Sequence, residues 1–171
     1  MRKPFYIFFL VLLISSCTTK NEITKTNQNQ TNCPDDGSCI TTIIEDTQVI
    51  VKVDEYGYSY QSLEKKEGIR TLKFEYNRNQ EIKLADDFYT EIIYIQIDKS
   101  IKSLSLKDES LKEAGVLYGR LCYCRGATGF YQINKGDLNL LKTDHGYDVS
   151  LVFKVNEVPQ VITVVNASFN F

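Results

Sequence analysis

The strongest pattern in the chain is alternation. Tyr147, Val149, Leu151, Phe153 and Val155 stand against Asp148, Ser150, Val152 and Lys154. In residues 161–171, Val161, Thr163, Val165, Ala167, Phe169 and Phe171 oppose Ile162, Val164, Asn166, Ser168 and Asn170. Leu72, Phe74 and Tyr76 share one face opposite Lys73 and Glu75, and Val49, Val51 and Val53 alternate with Ile50 and Lys52. Period two places successive side chains on opposite faces, so these stretches read as strands with one face buried. Residues 91–97, EIIYIQI, are apolar on both faces and predict a more central strand. GVLYGRLCYC (115–124) and GFYQI (129–133) read as a strand pair joined by residues 125–128. Turn formers cluster at residues 54–57, 134–137 and 144–146. Only KDESLKEA (107–114) looks locally helical. Eight or nine short strands at this spacing predict an all-β fold, a single antiparallel β-sandwich or partly closed barrel. Pro159 belongs at a turn or edge, because it cannot donate to a ladder.

The pattern breaks before residue 33. Residues 5–14 are an unbroken apolar run of ten behind Arg2 and Lys3. That is the length of a secretory h-region and about half of what spans a bilayer as a helix. The run ends in Leu13-Ile14-Ser15-Ser16-Cys17, which looks like a bacterial lipobox. Residues 1–16 are then a signal peptide, and Cys17 is the lipidated first residue of the mature chain. Ile23 is the one apolar side chain in residues 18–32, too little to offset chain entropy. Residues 17–32 therefore read as the lipidated cysteine and a flexible polar tether, and residues 33–171 as the β domain. Thr18 after the cysteine, in place of an aspartate, favours the outer membrane. Losing residues 1–16 takes away Arg2 and Lys3 and moves the net charge from −2 to −4. With no basic block, nucleic acid is not an expected partner.

Export changes the meaning of the cysteines. Outside the cytosol disulfides are the default. Cys33 and Cys39 lie in CPDDGSC, and Cys122 and Cys124 in LCYC. Four cysteines allow three pairings. On an extended strand Cys122 and Cys124 point the same way, but at about 6.5–7 Å between Cα atoms they sit at the limit for bridging. The expectation is therefore cross-pairing between the CPDDGSC loop and the strand; the alternative is two local bonds. A redox centre is a weaker reading, since only Arg125 is adjacent to the pair and no thioredoxin-like pattern surrounds it. A thiolate metal site is also weaker, because CxC with Cx5C departs from zinc-knuckle spacing.

Little else suggests chemistry. His145 is the one histidine and sits among turn formers, so no catalytic residue is assigned and no metal or other cofactor is expected. Asp35/Asp36, Asp86/Asp87, Glu45/Asp46 and Asp54/Glu55 are paired acids without calcium-loop or glycosidase signatures. The glycines of RGATG lack a phosphate-loop pattern. Tyr56, Tyr58 and Tyr60 in EYGYSYQ would share one face of an extended segment. Packing against a sheet is the commoner fate of such a stripe, and a binding surface the alternative.

The lipobox, the polar tether, CPDDGSC, LCYCRGATGFYQI and FKVNEVPQVIT together resemble a group of uncharacterised lipoproteins of flavobacteria and other Bacteroidetes. The resemblance implies an outer-membrane or periplasmic-facing location and no particular activity. The expected function is a non-enzymatic module, held to the membrane through lipid on Cys17, that binds an envelope protein, peptide or glycan. An inhibitor or accessory subunit of an envelope enzyme is the next reading, and a hydrolase or thiol-redox enzyme a third.

Overall fold

The computed structural model describes residues 33–80 and 86–171. The expected signal peptide (residues 1–16), Cys17 and the expected tether lie outside the described residues. Among the described residues nine strands form: β1 Gly37–Val53, β2 Ser59–Arg78, β3 Tyr89–Asp98, β4 Ser103–Lys107, β5 Leu117–Cys122, β6 Gly129–Gln132, β7 Gly136–Lys142, β8 Gly146–Phe153 and β9 Val164–Asn170. They pair antiparallel into a five-stranded sheet, β1-β2-β3-β5-β6, and a four-stranded sheet, β4-β7-β8-β9. The two sheets face each other as a sandwich, and no barrel closes among the described residues. Where β1 approaches β9, the Thr41 hydroxyl donates to the Ser168 carbonyl at 3.3 Å.

The alternation decides which face is buried. Leu72, Phe74 and Tyr76 of β2, Ile93, Ile95 and Ile97 of β3, and Tyr147, Val149, Leu151 and Phe153 of β8 all enter one core between the sheets. Each fully buried aliphatic side chain contributes about 1.5–3 kcal/mol relative to exposure. The expected helical stretch is a short 3-10 helix, Asp108–Ala114, which buries Leu111 and Ala114 and ends at Gly115 with φ 48°.

β3 is the central strand of its sheet, and a second apolar cluster explains its two apolar faces. Ile92 and Tyr94 on its outer face pack with Val49, Leu117 and Phe130. Val49 arrives there because the β1–β2 hairpin is far longer than its alternating segments indicate, at 17 and 20 residues. A bulge between Glu45 and Thr47 interrupts its register. Asp46 (φ 49°) and Gly68 (φ 83°) face each other at the bend, and the Gly68 amide donates to the Asp46 carboxylate at 2.9 Å. Beyond this bend the hairpin folds back as an arm over the outer face. The Val49 amide donates to Gln96 Oε1 at 2.8 Å. Ser59 exchanges two hydrogen bonds with the backbone of Phe130, at 2.8 and 3.1 Å. A Cβ on Gly129 would come within 2.5 Å of Ser59 Oγ, so that contact requires glycine.

The C-terminal strand starts later than its alternation suggests. Val161 and Ile162 do not join a ladder; their amides donate to the Glu91 carboxylate at 2.6 and 2.7 Å. Ile162 is buried and Val161 exposed, so their facing is opposite to a simple extension of β9. Pro159 lies in this irregular connection between β8 and β9.

Candidate functional site

The tip of the folded-back arm carries the tyrosines. They do not share one face of a strand, because the turn falls among them: β1 ends at Val53 and β2 begins at Ser59. One Asp54 carboxylate oxygen accepts the amides of Tyr56 and Tyr58 at 2.9 and 2.8 Å, and Gly57 supplies φ 85°. Asp54 is thus consumed in shaping the turn. Tyr56, Tyr58 and Tyr60 are 77%, 56% and 47% exposed, which corrects the expectation that they pack in a sheet. Val53 and Leu63 beside them are also exposed, so apolar surface concentrates on the arm. The Lys52–Glu64 pair at 2.8 Å flanks the tip.

The base of the arm is held by charge. Lys99 reaches Glu45 at 2.8 Å and Asp46 at 2.7 Å, and Arg70 reaches Glu45 at 2.7 Å. The hydrogen bond from Lys99 and then that from the Gly68 amide hold the Asp46 carboxyl below its usual range. Partial burial pushes Glu45 up, but the hydrogen bonds and charges of Lys99 and Arg70 outweigh it and its pKa is lowered. Arg70 also donates to the Tyr147 hydroxyl at 2.8 Å and stacks on the Phe171 ring at 4.5 Å, tying the two sheets together.

The four cysteines close two local bonds, Cys33–Cys39 and Cys122–Cys124. This corrects the expected cross-pairing, for two reasons. β2 and β3 lie between β1 and β5, so Cys39 and Cys122 are three strand spacings apart, about 14 Å. The ladder of β5 ends at Cys122, and the bend at Tyr123 brings the Cα atoms of Cys122 and Cys124 to 5.1 Å. In the chain-entropy treatment a three-residue ring stabilises by only about 1.6 kcal/mol and a seven-residue ring by about 2.4 kcal/mol, against the ~4–5 kcal/mol of cross-links between the segments.

Beside Cys122 lies a buried polar group of residues. Glu91 is fully buried on the inner face of β3, and Arg120 of β5 is 9% exposed. The Tyr89 hydroxyl donates to Glu91 at 2.5 Å and accepts from Arg120 Nε at 3.2 Å. Arg120 Nη1 donates to the Ala127 carbonyl at 2.9 Å. With two backbone amides on its oxygens, Glu91 pins the 161–162 segment to the opposite sheet. Tyr118 lies beside Glu91 and Tyr89 without a hydrogen bond of good geometry; burial, then the Glu91 charge, push its hydroxyl far up. This cluster satisfies and orients buried groups rather than presenting them to a ligand.

The outer face of the four-stranded sheet forms a shallow groove of about 580 Å³. Ser105, Asn139, Ser150 and Asn166 stand in register across all four strands. The Ser105 hydroxyl donates to Asn139 Oδ1 at 2.9 Å, and the Ser168 hydroxyl to Asp148 at 2.6 Å. Asp148 is the one charged residue lining the groove. Each of these residues lies on the polar side of an alternating strand, but their alignment depends on register between strands distant in sequence.

The remaining candidates are dispersed. His145 is exposed in the β7–β8 turn, and its carbonyl accepts the Phe171 amide at 3.0 Å. Asp36 accepts the Tyr76 hydroxyl at 2.8 Å, Asp87 pairs with Arg78 at 3.6 Å, and Asp35 and Asp86 are exposed. Among the described residues no group of three or more His, Cys, Asp or Glu is placed to hold a metal ion. The chain matches no family model, and searches of curated proteins and solved structures give no match either.

Proposed function

We propose that this protein is a lipid-tethered binding module of the bacterial cell envelope, anchored through Cys17, whose contact surface is the tip of the β1–β2 arm. The observation carrying this reading is the exposure of Tyr56, Tyr58 and Tyr60 on a turn fixed by Asp54 and an arm locked to β6 by Ser59. Tyrosine offers a large rigid ring with few rotors and a hydroxyl that bonds, so it binds protein or peptide surfaces at low entropic cost. Ordering the arm before contact lowers that cost further. The lipobox-like segment and the polar residues after it support the anchor and the spacer, and the resemblance to Bacteroidetes lipoproteins supports an outer-membrane location.

Replacing all three tyrosines by serine tests the surface. The variant should keep the wild-type melting temperature and lose cross-linking to its envelope partner; undiminished cross-linking overturns the reading. Cys17→Ser should release the protein from the membrane fraction, and a variant that still pelleted with membranes would rule out the anchor.

A second reading rests on the groove of the four-stranded sheet. Aligned Ser and Asn side chains both donate and accept, which suits the hydroxyls of a neutral glycan. Calorimetric titration with envelope glycans, against an Asn139→Ala/Asn166→Ala variant, separates it from the arm.

A further inference from the structure

We propose that Cys122–Cys124 is an exchangeable disulfide that accepts two electrons from a peptide dithiol. The surroundings of the two disulfides differ in a way that supports this. The Cys122–Cys124 ring contains three residues and constrains the unfolded chain less than Cys33–Cys39 does. Its loop is held by other bonds: the Ala127 amide donates to the Cys124 carbonyl at 3.1 Å, Arg120 donates to the Ala127 carbonyl at 2.9 Å, and the Thr128 hydroxyl donates to the Arg120 carbonyl at 3.0 Å. The bond can therefore open with the fold intact, and the two thiols stay close enough to close again.

The bond is also reachable and has two arginines beside it. Cys122 is buried at 6% exposure, whereas Cys124 is half-buried at the surface of the loop. Arg125 directly follows Cys124 and is exposed, and Arg120 reaches the same loop through its bond to the Ala127 carbonyl. Positive surroundings favour an attacking thiolate and a departing one. Tyr123, between the two cysteines, is 77% exposed and offers a ring to the peptide around an incoming cysteine.

In the exchange, a thiolate of the partner attacks Cys124 Sγ. The Cys122–Cys124 bond breaks, and Cys122 leaves as a thiolate that takes up a proton. The second thiolate of the partner then attacks the partner's own sulfur in the mixed disulfide, releasing Cys124, which is protonated. The partner ends as a disulfide and this protein as a dithiol, two electrons and two protons richer.

The test is timed reduction of the mature native chain by dithiothreitol and by a Cys-x-x-Cys peptide, with alkylation and mass spectrometry of each cysteine. Thiols of Cys122 and Cys124 should appear at least tenfold faster than those of Cys33 and Cys39, with unchanged circular dichroism. Tyr123→Ser should slow the reaction with the peptide about threefold or more and leave that with dithiothreitol unchanged. Equal rates for the two pairs, earlier opening of Cys33–Cys39, or thiols emerging only on unfolding would overturn the proposal. Equal peptide rates for wild type and Tyr123→Ser would overturn the peptide partner. Each outcome is read without the arm, so it is independent of the tyrosine surface.

Discussion

The two faces of β3 are both apolar, yet they are covered by different means. The inner face, with Ile93, Ile95 and Ile97, meets a second sheet built from β4, β7, β8 and β9. The outer face, with Ile92 and Tyr94, meets a two-stranded arm that returns over its own sheet. Inner contacts join segments far apart in the chain and are shared by many neighbours. Outer contacts hang on Val49, Gln96, Ser59 and the bend at Asp46 and Gly68. The same residue types thus gain unequal security, because a sheet brings a continuous surface and an arm brings one ribbon.

The sharpest break is on the inner face. Ile95→Ala should cost about 4 kcal/mol in urea unfolding, because the site is closed on all sides and a cavity would remain. Glu91→Ala should cost about 3 kcal/mol, since it strands the amides of Val161 and Ile162 and leaves the buried Tyr89 hydroxyl without its acceptor. Val49→Ala on the outer face should cost about 1.5 kcal/mol, the value of two methylenes. It should also raise hydrogen exchange in the arm while the sandwich stays protected; uniform exchange would show that arm and sandwich open together.

Acid provides a gentler probe. The pKa values of Glu45 and Asp46 are depressed below their ordinary values of 4.5 and 3.8, so the stability they confer is present above that range and lost as pH falls through the folded values. The arm base should loosen below about pH 4, seen as faster arm exchange, and Lys99→Met should flatten that dependence. The smallest effect belongs to Tyr118→Phe. Its hydroxyl makes no good hydrogen bond, so its removal should change stability by less than about 0.5 kcal/mol. A loss above about 1.5 kcal/mol would mean that Tyr118 bonds to Glu91 after all.

Much of this was legible along the chain. In residues 147–153 the odd positions, all apolar, are buried and the even positions, Asp148, Ser150 and Val152, are exposed, because one-sided burial leaves a period of two in any strand. EIIYIQI read as central, and it is, although what covers its outer face could not be read locally. The arm escaped notice since residues 59–67 are mixed in polarity and half-exposed, and its bend depends on Asp46 of β1 meeting Lys99 in the turn after β3. The groove escaped for a related reason: Ser105, Asn139, Ser150 and Asn166 are ordinary outward positions until register lines them up.

The cysteines and tyrosines show where local reading ends. That Cys33, Cys39, Cys122 and Cys124 would be oxidised followed from their even number and the export expected from the N-terminal residues. Which sulfur met which was decided by strand order, with β2 and β3 between the two pairs. That the tyrosines stood near a turn was visible in Asp54 and Gly57; that the turn lay outside the sandwich was decided by the arm's length and its bend. Alternation, turn chemistry and composition are short-range properties carried by neighbouring residues, and they determined an all-β chain with buried and exposed faces. Pairing order, register and the return of the arm are long-range, set by which surfaces must be covered once the strands exist, and only the folded molecule resolves them.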